Sequence, residues 1–127
     1  MIDDGSPRRG VVPDLPPNMS EAAFQSLVID VAEFNGWTVH HQQPTKARSG
    51  KWITSGKAGF PDLTLLRPPQ LVFLELKRVG GEATPKQKRW ISDLQRVPGV
   101  EAYVVSPADI SSVFLLLVSP PPDEAGG

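Results

Sequence analysis

The sequence predicts an α/β domain: a mixed central sheet flanked by helices, with elements in the order αβββαβ and a short helix at the C-terminal end. Three observations predict it. Two apolar runs, residues 63–66 and 71–76, flank an Arg-Pro-Pro-Gln break and read as a hairpin of two strands. Two amphipathic stretches, each opened by a hydroxyl residue that can cap a helix, lie on either side of the hairpin. The valine-rich run 100–105 follows the second stretch closely, which makes a strand–helix–strand unit whose two strands run parallel through a right-handed crossover.

In chain order, residues 1–19 hold four prolines and two glycines and read as a flexible arm. Ser20 is the expected N-cap of a helix from Glu21 to about residue 35, with Gly36 as its stop and Phe24, Leu27, Val28, Val31 and Phe34 as its apolar stripe. Residues 37–43 read as the first strand. Residues 44–59 form a long polar, glycine-bearing loop with Trp52 and Ile53 inside it. Neither run of the hairpin alternates cleanly, so both strands are expected to be covered on two faces. Thr84, Pro85 and Gln87 make a capping box with proline at the first helical position, and Trp90, Ile91, Leu94 and Val97 form the inward stripe of the helix that follows. Residues 106–109 repeat the capping pattern before a helix to about residue 117. Its run 113–118 is wholly apolar and either completes the core or forms a subunit contact. The domain is thus expected over 20–118, and the proline-rich tail 119–127 is expected to be disordered.

At 127 residues the chain is large enough for one domain with a real core. It has no cysteine, so any metal must be held by oxygen or imidazole ligands. An 18-residue apolar run and a secretory leader are both missing from the sequence, so no membrane association is expected and a cytoplasmic location is the default. The net charge of −1 conceals a basic middle, since residues 44–96 carry eleven Lys and Arg against four acids. Two of those acids, Asp62 and Glu75, are the interesting ones. Such a balance suits a polyanion and a cation, although a merely solvated basic surface would look the same.

Asp62 enters the first strand of the hairpin, and Glu75 and Lys77 close the second. Side chains two apart share a strand face, roughly 6–7 Å from one another. A tight hairpin brings Asp62 beside them. Two carboxylates and a lysine at the end of a buried sheet need compensation, and a divalent cation between the carboxylates provides it. That constellation suits metal-assisted phosphodiester hydrolysis. The bland alternative is a Glu75–Lys77 surface salt bridge, which leaves the acid within an apolar strand without a reason.

Pro61-Asp62 followed by Glu75-Leu76-Lys77 resembles the PD-(D/E)XK nuclease signature. The longer ordered set is Ser20-Glu21, Gly36-Trp37, Gly59-Phe60-Pro61-Asp62, Glu75-Leu76-Lys77 and Thr84-Pro85-Lys86-Gln87 with Trp90. It resembles the VRR-NUC, or virus-type replication-repair nuclease, domain over about residues 20–118. The resemblance implies a restriction-endonuclease-like core and a DNA endonuclease dependent on Mg²⁺ or Mn²⁺. It implies that Asp62, Glu75 and the Leu76 backbone carbonyl hold the metal, that Glu21 contributes, and that Lys77 and Gln87 complete the catalytic cluster. Read alone, Glu21 is a first-turn acid complementing the helix dipole, and Gln87 is sufficiently explained as a cap. The family acts on branched or flapped DNA in repair and recombination, and small stand-alone versions are able to form homodimers and cut four-way junctions. An accessory DNA-binding module without catalysis, or a restriction-type or single-strand nuclease, would share most of these letters.

For DNA contact the candidates are Lys46, Arg48, Lys51, Trp52 and Lys57 in the long loop and Lys86, Lys88 and Arg89 at the start of the second helix. Arg8 and Arg9 are weaker candidates in the arm. The pair His40-His41 invites a metal reading, but neighbouring strand residues point to opposite faces and neither is taken as a ligand. No small-molecule cofactor is expected.

Overall fold

The computed structural model describes residues 19–42, 45–46, 48–53 and 57–122, so Arg8, Arg9, most of the expected arm and the last five residues of the expected tail lie outside the described residues. Helix α1 (Glu21–Phe34) is capped by the Ser20 hydroxyl, which accepts from the Ala23 amide. Strand β1 (Thr38–His41) follows, then two two-residue strands, β2 (Thr45–Lys46) and β3 (Trp52–Ile53), which pair with each other inside what reads from sequence as a loop. The hairpin is β4 (Leu63–Arg67) and β5 (Gln70–Leu76). Helix α2 (Pro85–Gln95), strand β6 (Val100–Val105), a single 3₁₀ turn (Pro107–Asp109) and helix α3 (Ile110–Val118) complete the order.

The main sheet runs β1-β4-β5-β6, antiparallel except for the β5–β6 pair, which is parallel as the strand–helix–strand unit predicts. Helices α1 and α3 cover one face. Phe24, Val28 and Ala32 of α1 and Val113 and Leu117 of α3 pack there on Leu63, Leu65, Val72, Leu74 and Leu76. Helix α2 covers the other face only over β5 and β6, where Ile91 meets Phe73 and Ala102.

Three expectations are corrected. Strand β5 is buried on both faces, but β4 is not: Leu63 and Leu65 are fully buried while Leu66 is 44% exposed, because α2 does not extend over it. The stripe of α1 turns away from Phe34, which is 90% exposed, and Ala32 takes its place against the sheet. Val97 falls beyond the end of α2 and is exposed. The apolar 113–118 run divides as a helix must, with Val113 and Leu117 in the core and Leu115 and Val118 outside. Ser119, assigned above to the tail, is the C-cap of α3, and its backbone carbonyl accepts from Arg67. Among the described residues, no helix is long and apolar enough to cross a membrane.

Candidate active site

The register places the candidate residues in one row across the sheet. Leu63 pairs with Leu74, so the next residue outward sets Asp62 beside Glu75, on the face that α2 leaves open over β4. Lys77 follows on that face, and its ammonium lies 3.2 Å from Glu75 Oε2. Asp62 Oδ2 accepts from the Leu76 amide at 2.8 Å, completing the hairpin with a side chain where the ladder would otherwise use a carbonyl. An extended residue sends its N–H and C=O to the same edge, so the Leu76 carbonyl also leaves β5 on the Asp62 side.

Glu75 is 2% exposed. Among the described residues its Oε1 has no hydrogen-bond donor. Burial, and after it the neighbouring Asp62 carboxylate, push its pKa up from 4.5 to about 7, against the opposing pull of Lys77. The site is therefore short of positive charge, and one lysine does not supply enough. An ion held by hard oxygen ligands would answer that shortage, and the donors at hand, two carboxylates and a backbone carbonyl, would suit Mg²⁺ or Mn²⁺ rather than a soft metal.

Two segments hold Asp62 in place. On one side, α2 closes on residues 58–60. Trp90 Nε1 donates to the Ala58 carbonyl, and the Phe60 ring meets Trp90 and Phe73 edge-on at 5.0 and 5.9 Å. Gly59 has φ +89°, and a Cβ there would stand 2.8–2.9 Å from Lys86 atoms, so only glycine permits this contact. On the other side, the Gln42 amide proton goes to the Asp62 carbonyl and its side chain to the carbonyls of Phe60 and Pro61.

The remaining candidates are dispersed. Glu21 is exposed in the first turn of α1, and no group of three Asp, Glu or His residues of metal-binding dimension forms among the described residues. Gln87 is committed to the capping box: its Oε1 accepts from the Thr84 amide and its own amide donates to the Thr84 hydroxyl. His40 stands opposite Thr64 on the Asp62 face, whereas His41 pairs with Leu63 on the other. Arg48, Lys51, Lys57 and Lys86 are exposed. Lys88 and Arg89 are exposed too, but face Glu82 at 4.0 Å and Asp93 at 3.1 Å. The side chains of Lys46 and Trp52 lie outside the described residues, although their backbones pair across β2 and β3. Sequence reading passed over Gln42 and Arg67. A glutamine ending a short strand and an arginine before a turn carry no pattern that would single them out.

The VRR-NUC domain model matches residues 30–108, more than half of the chain, including Asp62, Glu75, Lys77 and Gln87 but not Glu21. The chain belongs to the VRR-NUC domain family. A solved structure of a VRR_NUC domain protein is similar in fold, with a TM-score of 0.55 and 26% identity over 80% of this chain and 89% of that one. No curated protein matches the sequence. Membership gives this VRR-NUC domain a nuclease-family function, and the Asp62–Glu75–Lys77 row lies within the matched span.

Proposed function

We propose that this VRR-NUC domain is a metal-dependent DNA endonuclease acting on branched, flapped or four-way-junction DNA, with Asp62, Glu75 and Lys77 at its centre. The observation that carries this reading is Glu75, a buried carboxylate beside a second carboxylate, with one oxygen lacking a donor among the described residues. Asp62, Glu75 and the Leu76 carbonyl would hold one or two Mg²⁺ or Mn²⁺ ions, with Glu21 joining through water. When bound, such an ion lowers the pKa of a water and draws charge from a scissile phosphate.

The chain's own residues do the rest. Glu75 Oε2, 3.2 Å away, fixes the Lys77 ammonium at the end of β5. There Lys77 stabilises the charge that grows on a phosphate and orients the attacking water, rather than removing its proton. Gln87 holds the start of α2, where Lys86, Lys88 and Arg89 present cations to flanking phosphates. The exposed cations of 48–57 supply contacts further along the strand. A two-fold dimer joined through the exposed Leu115 and Val118 would offer two sites to a symmetric junction.

Labelled four-way junction, flap and linear duplex DNA, incubated with Mg²⁺, Mn²⁺ or EDTA, tests the reading. Metal-dependent cutting of a branched substrate is expected from the unaltered chain. Asp62→Ala and Lys77→Ala should lower the rate at least 100-fold while DNA binding and the circular dichroism spectrum persist. Wild-type cutting by Lys77→Ala would remove that residue from the mechanism. DNA binding without cutting in either metal would instead indicate an accessory binding module.

A further inference from the structure

We infer that Gln42 is the positioning residue for the Asp62 carboxylate, and that metal affinity at the proposed site depends on its side-chain amide. This inference rests on the metal-dependent reading above. Asp62 precedes β4 and is preceded by Pro61, which has no amide proton to tie to a neighbour. The segment 58–62 therefore has little backbone pairing of its own. Gln42, one residue past β1, makes up for this from the adjoining strand. Its backbone N–H donates to the Asp62 carbonyl at 3.1 Å, and its Nε2 donates to the carbonyls of Phe60 at 3.0 Å and Pro61 at 3.3 Å.

Continuing the β1–β4 and β4–β5 registers by one residue puts Gln42, Asp62 and Glu75 side by side on one face. Three successive carbonyls are thus held from the β1 side by one residue. Leu76 and α2 hold the same segment from the opposite side. Asp62 is clamped at both ends of its own peptide, and only one of those clamps is a side chain that can be removed without touching the metal ligands or the core. Groups that orient a ligand in this way tune affinity nearly as strongly as the ligands do.

Gln42→Met keeps the volume of the side chain and removes both donors. Gln42→Asn keeps the amide but withdraws it by one methylene, and serves as a milder variant should the first fold poorly. Mn²⁺ binding to each, without DNA, is measured by titration calorimetry, beside the thermal midpoint in EDTA. Wild-type chain is expected to bind Mn²⁺, Gln42→Met about tenfold or more weakly, and Gln42→Asn in between, with the EDTA midpoints within a few degrees of one another. Arg67→Met, at the far end of β4, is the control. It should lower the midpoint and leave Mn²⁺ affinity unchanged, which separates positioning from general loosening of the sheet. Equal Mn²⁺ affinity in wild type and Gln42→Met would overturn the role given to Gln42 and leave the metal site standing. No Mn²⁺ binding by the wild-type chain would overturn the metal site itself, and this inference with it.

Discussion

A carboxylate with almost no exposed surface and a second carboxylate on the adjacent strand can be accommodated by a proton or by a cation. For Glu75 in the metal-free protein, the proton is the available partner over part of the pH range. Its folded-state pKa of about 7 lies above the 4.5 of the exposed group. A raised pKa stabilises the fold fully below about pH 4.5, and that contribution is lost as pH rises through 7. In EDTA, the unfolding free energy from urea titrations should therefore fall between pH 5 and pH 8, by at most about 3 kcal/mol from this residue. Glu75→Gln should flatten the slope and be more stable than wild type at pH 8, while losing Mn²⁺ binding. An unchanged slope in Glu75→Gln would assign the pH dependence to other groups. The motif letters announced this residue, but only its burial gives the charged carboxylate a cost to stability.

At the scale of elements, Arg67 ties together three pieces: the end of α1, the end of α3 and the hairpin turn. Its guanidinium donates to the carbonyls of Asn35 after α1 and of Leu117 and Ser119 at the end of α3, and to the Gln70 side chain across the hairpin turn. It also lies 4.4 Å from the centre of the Trp37 ring, whose Nε1 shares the Leu117 carbonyl. The last carbonyls of a helix have no intrahelical partner, and a cation there also complements the helix dipole. Arg67→Met should cost about 2–4 kcal/mol, given several charge-assisted bonds and the ring contact. Thermal melting checks the size, and amide exchange should show α3 opening before α2. A loss below about 0.5 kcal/mol would mean that water replaces the guanidinium at these carbonyls. In sequence the same arginine is merely the first residue of an Arg-Pro-Pro-Gln turn, because its partners lie 32, 50 and 52 residues away.

For the whole molecule, the uneven covering of the sheet decides where chemistry can occur. Helices α1 and α3 seal one face, and α2 seals half of the other, so the row is half-open at Gln42 and Asp62, where β4 is left bare, and closed over Glu75. A cation bound there would link β4 to β5 and stabilise the entire fold by mass action. Saturating Mn²⁺, at about 100 times its dissociation constant, should add about 2.7 kcal/mol. That corresponds to a rise of several degrees in the melting midpoint, and Asp62→Ala should show none. A midpoint indifferent to Mn²⁺ in the wild-type chain would speak against a metal site between these strands.

The order of the main elements, the parallel β5–β6 pair, the capping boxes and the Asp62–Glu75–Lys77 row were legible in the chain. Each depends on spacing within a few residues: strand alternation, a hydroxyl three residues before a glutamine, or a tight turn that brings two strand ends together. The exposure of Phe34 and Leu66, the β2–β3 pair and the roles of Arg67 and Gln42 were not legible. They depend on how far α2 reaches across the sheet and on which carbonyls come within 3 Å of a side chain. By itself the sequence determined that two acids and a lysine would meet at a strand end. Only the tertiary structure decided that one of those acids is buried, with an oxygen that has no donor among the described residues, because burial is a property of what packs on the strand and not of the strand.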